Sequence, residues 1–214
     1  MIIGLINENS QASKNGVIFE SLNKVAKNKG YMVHNYGMEN AEDEQLTYVQ
    51  VGLLGAILLN SGAVDFIVTG CGTGEGAMLA LNSFPNVLCG HVTDPTDAYL
   101  FAQINDGNAI AIPFAKGFGW GSELTLENIF EQLFKDEFGN GYPKDRVIPE
   151  QRNKKILDEV KKVTHTDIYT ILENIDQEFL YNTINRKQFK ELFFENAKDE
   201  KMKEILENIF KMHN

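Results

Sequence analysis

Residues 68–76 read VTGCGTGEG. The apolar run AVDFIV (63–68) leads into this stretch, and AMLALN (77–82) leads out of it. The first run is rich in β-branched and aromatic residues and reads as a buried strand. The second has small and apolar residues suited to a helix. Four glycines fall between them. Strand, glycine-rich turn, helix is the unit from which parallel α/β sheets are built.

The same alternation extends outward on both sides. IIGLI (2–6) is a continuous apolar run of the kind found in buried parallel strands. NENSQASKN follows as a polar loop, with Asn9 or Ser10 as possible caps for the helix after it. GVIFESLNKVAKNKG places Val17, Ile18, Leu22, Val25 and Ala26 at helical spacing, and Gly30 is a suitable stop. YMVHNYG reads as a second short strand, MENAEDEQLT as an exposed acidic loop, and TYVQVGLLGAILLNSG as a helix ending near Gly62. After the glycine turn come strand NVLCGHV, a helix in TDPTDAYLFAQIND with Asp94 or Thr96 as its cap, strand NAIAIPF and helix LTLENIFEQLFKDEF. Five strand–helix alternations predict a Rossmann-like, doubly wound α/β domain with a five-stranded parallel sheet over residues 1–146. Residues 147–214 show helical periods only and are expected to form a C-terminal helical extension. Phe189, Leu192, Phe193, Ile205, Leu206, Ile209 and Phe210 should pack on the α/β body or on a partner chain.

The net charge of −10, with no basic cluster, argues against nucleic-acid and anionic-membrane partners. No apolar run approaches the roughly 18–20 residues that span a bilayer. MIIGLINENS lacks a cationic leader and reads as the first strand, which predicts a cytoplasmic protein. Cys71 and Cys89, outside any CxxC pattern, fit reduced thiols, and the four scattered histidines suggest no metal site.

A glycine-rich turn entering a helix presents bare backbone N–H groups to an anion. The phosphate loop GxxxxGK[ST] is excluded because no lysine follows. The dinucleotide fingerprint GxGxxG is only approximated, and the turn follows the third strand instead of the first. A tight turn with glycines for steric reasons alone remains open. Cys71 adds chemistry. A thiol beside amides and a helix dipole has a reason to be reactive. As thiolate it can take a proton from carbon next to a carbonyl while the amides hold the enediolate. An inert buried cysteine is the alternative.

GCGTGEGAMLALN, followed by DPTDAYLFAQIND and NAIAIP, resembles the family of ribose-5-phosphate isomerase B and the galactose-6-phosphate isomerase subunits across residues 1–146. The resemblance implies a Rossmann-like homodimer with the active site between subunits, and no metal or cofactor. It also implies aldose–ketose isomerisation through a cis-enediolate. Cys71 would be the base, and Thr73 would stabilise the enediolate with Gly72, Gly74 and Gly76. Asn105 would touch substrate.

Some departures bear on the substrate. Sugar-phosphate members carry Asp-His after the first strand, where Glu8 and Asn9 stand here. Ile104 replaces a ring-opening histidine. Arg146 aligns with one of two phosphate-holding arginines, and Tyr142 falls near the other. A phosphate dianion wants several charge-assisted donors. The longer pattern of INENSQ, QLTYVQ, DPTDAYLFAQI, KGFGWG and GYPK resembles the isomerases of 4-deoxy-L-threo-5-hexosulose uronate, an unphosphorylated acid. A phosphorylated pentose or hexose is the second candidate, and a non-catalytic sugar binder the third. Glu8 and Asn9 are candidate substrate contacts or helix caps. Tyr48 is a contact or core, His91 a proton shuttle or structural, and Glu75 an assistant or a solvated carboxylate. Lys116 and Arg146 are candidate carboxylate holders. Trp120 and Phe118 would wall the pocket or fill a dimer contact.

Overall fold

The computed structural model describes residues 1–213. β1 (Ile2–Asn7) sends Ile3 and Leu5 to one face of the sheet and Ile6 to the other, and both faces are covered. That is why the run reads as continuously apolar and not as alternating. β2 (Met32–Asn35), β3 (Phe66–Cys71), β4 (Cys89–His91) and β5 (Ala109–Pro113) complete a five-stranded sheet in the order β2-β1-β3-β5-β4. Every pair is parallel, with Ile6 opposite Thr69, Cys71 opposite Pro113 and His91 opposite Ala111. The expected Rossmann-like, doubly wound architecture is present.

Helices α1 (Asn15–Asn28), α4 (Pro95–Leu100) and α5 (Ser122–Leu133) cover one face, packing on Leu5, Phe66, Val68 and Ile110. Helices α2 (Tyr48–Asn60) and α3 (Glu75–Asn82) cover the other, over Ile6, Ile67 and Ala111. Asp94 caps α4 by accepting from the N–H groups of Thr96 and Asp97 at 2.7 and 3.0 Å, so Asp94 and not Thr96 is the cap. α4 runs on into a π turn, Phe101–Asn105. The expected caps Asn9 and Ser10 do not serve α1. A 3₁₀ turn, Asn9–Lys14, precedes that helix, and Glu8 caps the turn. The loop after β2 is less exposed than its acidity suggests. Met38 and Leu46 are fully buried, and the Arg186 guanidinium donates to the Glu44 carbonyl at 2.7 Å.

α2 is apolar all round, and Val51–Leu58 are buried without interruption. A helix of that composition needs cover on both sides. The sheet and α3 provide one side. The other is covered from the C-terminal region by α7 (Ile168–Asn174), α8 (Gln177–Ile184), α9 (Lys187–Asn196) and α10 (Glu200–Met212). Phe189, Phe193, Leu206 and Ile209 are buried in one continuous cluster with α2, and Leu192, Ile205 and Phe210 pack against it. These residues therefore pack on the body, as one of the two expectations had it. The periodic stretch 165–184 is broken at Ile175–Asp176, because Asp176 accepts from the Phe179 N–H at 2.7 Å and starts a new helix. α6 (Val147–Thr164) differs from the rest, since none of its residues is buried. Among the described residues, no helix is long and apolar enough to cross a membrane.

Candidate active site

In a doubly wound sheet, ligands bind beyond the C-terminal strand ends where the strand order reverses. Here β2 lies to one side of β1 and β3 to the other, so the reversal falls between β1 and β3. The two strands end at Asn7 and Cys71, and the next residues are Glu8, Asn9 and the glycine turn. Topology alone thus brings the thiol to the first-strand residues named from the sequence.

Cys71 ends β3 with 8 % of its surface exposed, and its Sγ lies 4.0 Å from Thr73 Oγ1. Thr73 Oγ1 accepts from the Glu75 N–H at 3.3 Å. Gly74 has φ +78°, a backbone that L side chains rarely adopt, and starts α3. The first N–H groups of a helix lack intrahelical acceptors. Among the described residues, no hydrogen bond engages the N–H groups of Thr73, Gly74, Gly76 or Ala77. A thiol therefore stands next to a cluster of undirected amides, which is the arrangement an enediolate oxygen requires. The Tyr48 ring leans on the turn, so that a Cβ added at Gly76 would sit 3.2 Å from it. Tyr48 is held there by the Thr47–Gln50 capping box at the start of α2. Gly72 packs beside the Gln11 amide and Ala115, and its carbonyl accepts from the Ala115 N–H.

Across the crevice, the buried Glu8 carboxylate accepts from the Ser10 N–H at 2.9 Å and the Ser10 hydroxyl at 2.5 Å. Capping is thus its role in the free chain. Asn9 is exposed, and its backbone N–H donates to Leu46. A relay that the sequence reading missed continues from here. Gln11 Nε2 donates to Ser10 Oγ at 3.0 Å, and Lys14 Nζ donates to Gln11 Oε1 at 2.7 Å and to the Phe114 carbonyl at 2.5 Å. The ammonium also lies 4.5 Å from the centre of the Phe118 ring, a cation–π distance. The signal was the Gln11/Lys14 spacing of three within a polar segment that looked like plain loop.

Other named residues fall elsewhere. His91 Nε2 is 2.8 Å from the Thr73 carbonyl oxygen, which brings it to the turn. Lys116 and Phe118 line a small cavity of about 40 Å³ with Thr93, Phe114 and Ser122, towards α5. Trp120 is wholly exposed and walls nothing within the chain. Asn105 precedes β5 by four residues, at the opposite edge of the sheet from Cys71. Four strand residues separate these edges by about 13 Å. Arg146 stands just before α6, after a segment whose Gly139 and Gly141 N–H groups donate to the Ala102 and Gln103 carbonyls of the π turn that carries Asn105. Cys89 is buried in β4, and burial pushes its thiol well above the usual range. Among the described residues, no group of three or more His, Cys, Asp or Glu could hold a metal ion.

A family model described as Ribose/Galactose Isomerase matches residues 3–149. The chain belongs to this family. A second model, described as ribose-5-phosphate isomerase, matches residues 163–209 of this isomerase. Among solved structures, a 4-deoxy-L-threo-5-hexosulose-uronate ketol-isomerase complexed with a tartrate is 57% identical, with TM-score 0.97, covering 99% of this chain and 100% of its own. A ribose-5-phosphate isomerase from Vibrio parahaemolyticus is 46% identical, with TM-score 0.95, covering 98% and 99%. The ribose-5-phosphate isomerase B of Clostridium thermocellum, at 24% identity and TM-score 0.57, covers 75% of this chain and 99% of its own, and shares the fold. No curated protein matches the chain. The protein is a sugar isomerase.

Proposed function

We propose that this isomerase acts on 4-deoxy-L-threo-5-hexosulose uronate, interconverting aldose and ketose. The observation that carries the chemistry is the Cys71 thiol, 4.0 Å from the Thr73 hydroxyl and flanked by unengaged amides of the 73–77 turn. As thiolate, Cys71 takes the proton from the carbon next to the aldehyde. The C–H electron pair becomes the C=C bond, and the carbonyl electrons move onto oxygen, where the amides hold the charge. Thr73 bridges the two enediol oxygens, and the hydroxyl proton passes from the second carbon's oxygen to the charged first one. The second oxygen's electrons then re-form a carbonyl while the C=C pair takes the proton back from Cys71 at the former aldehyde carbon. No metal or cofactor enters this scheme.

The choice of substrate is supported by the 57% identity to a protein named for that uronate. Charge at the crevice supports it too. A single carboxylate needs fewer cations than a phosphate dianion, and Lys14 brings one ammonium to this edge. The 46% identity to a ribose-5-phosphate isomerase keeps ribose 5-phosphate as the second reading.

The same proposal includes a homodimer with the site between subunits. Asn105 lies at the opposite end of the strands from Cys71, and Arg146 follows the 139–141 segment bonded to the π turn beside it, so the partner's copies would serve the site. α6 offers Ile148, Ile156, Val160 and Val163 on one uncovered face, and Trp120 is uncovered as well. Residues 1–146 form the catalytic body and 147–214 its helical extension. Two unpaired cysteines fit a cytoplasmic enzyme. NMR of the purified protein with the uronate, beside ribose 5-phosphate, tests the substrate. Turnover of the uronate, unaffected by millimolar inorganic phosphate, is expected. Turnover of ribose 5-phosphate alone, inhibited by phosphate, would replace this reading with the second.

A further inference from the structure

His91 stands on the edge strand β4, two strands from β3, yet its Nε2 reaches across β5 to the Thr73 carbonyl at 2.8 Å. A carbonyl oxygen only accepts, so Nε2 carries the proton and donates. The ring lies against Gly74. A Cβ there would be 2.7 Å from His91 Nε2 and 3.0 Å from the Ile112 carbonyl carbon, so the glycine makes room for this contact.

The bond matters because of what the Thr73 carbonyl would otherwise do. It lies four residues before Ala77, the spacing of a helical hydrogen bond. If it accepted from the Ala77 N–H, α3 would wind back by one residue. One of the amides left open beside Cys71 would then be used up. Because carbonyl and N–H point in opposite directions across a trans peptide, drawing the carbonyl towards β4 also turns the Gly74 N–H away from His91. We propose that His91 is a positioning residue for the isomerase reaction. Its ring N–H latches the Thr73 carbonyl, which fixes the 73–74 peptide and keeps the turn's amides free for the enediolate oxygen. The latch rests on the isomerase reading above. It also removes His91 as a proton shuttle, since Nε2 is engaged with backbone.

The test compares the wild type with His91→Ala and His91→Gln, because glutamine can place an amide nitrogen near the position of Nε2. Steady-state kinetics are measured on the uronate, and amide hydrogen exchange is followed over residues 72–77. His91→Ala should lower kcat by about tenfold or more with KM within about twofold, since small misplacements of catalytic groups are costly. Exchange of the Ala77 N–H should slow, because the released Thr73 carbonyl can then accept from it. His91→Gln should recover most of both. A His91→Ala variant with wild-type kcat and wild-type exchange overturns the latch. So does a His91→Gln variant that is as inactive as His91→Ala while its Ala77 N–H exchanges at the wild-type rate, because that pattern belongs to a proton carrier. If His91→Ala does not fold, His91→Gln against wild type decides the matter alone. Loss of kcat with wild-type exchange at Ala77 rejects the latch, and near-wild-type values in both support it. Exchange needs no turnover, so failure of the substrate assignment is told apart from failure of the latch.

Discussion

The glycine turn depends on single residues with little slack. Gly74 combines φ +78° with a ring and a backbone carbon inside the space a methyl would take. Left-handed backbone costs an L residue about 1–2 kcal/mol, and here the His91 ring must move as well. Gly74→Ala should therefore lower unfolding stability by about that amount or more, and it should lower kcat further by releasing the Thr73 carbonyl. Urea unfolding and steady-state kinetics check the two effects separately. At this scale the sequence was informative where chemistry is local. The thiol, Thr73 and the glycines were visible because a strand–turn–helix pattern fixes their relations. The Lys14–Gln11–Ser10–Glu8 relay was not, because NSQASK carries no apolar period and its partners Phe114 and Phe118 lie about a hundred residues away. The bond from His91 to Thr73 was hidden for the same reason, since it spans an intervening strand.

At the scale of elements, the five strands were legible because each is a short apolar run ended by polar or turn residues. α2 was legible as a helix, and a helix apolar all round needs cover on its outer face. What the sequence left open was whether the extension or a second chain supplies that cover. Long-range packing of Phe189 and Phe193 answers it in favour of the extension. β2 contributes a pH effect of its own. Burial, opposed in part by the Glu195 charge, lowers the pKa of His34 below its ordinary 6.5. The unfolded chain then takes up a proton near pH 6.5 that the folded chain resists. This stability contribution is present above that pH and is lost as pH falls through the window towards the depressed folded value. Thermal or urea unfolding at pH 7.5 and 5.5 should show wild type losing more stability on acidification than His34→Gln does. An equal loss in both would mean that other groups carry the acid sensitivity.

At the scale of the whole molecule, the chain looks unfinished. α6 is 18 residues long without a buried side chain, and two residues matched to substrate binding stand at the far edge of the sheet. The proposed second copy would account for both features. Replacing Ile156 and Val160 with aspartate should convert dimers to monomers in analytical ultracentrifugation and remove most turnover. A fully active monomer would separate the site from the interface. Periodicity could place α6 as a helix but could not say what it meets, because an apolar stripe looks the same whether its partner lies in the same chain or in another. The central claim is that Cys71 moves the proton. The most direct measurement is NMR-followed turnover of the uronate by wild type and by Cys71→Ala, with circular dichroism confirming that the variant is folded. The account predicts that the folded variant loses turnover by a factor of about 10² or more. A folded Cys71→Ala enzyme turning over at the wild-type rate would contradict it.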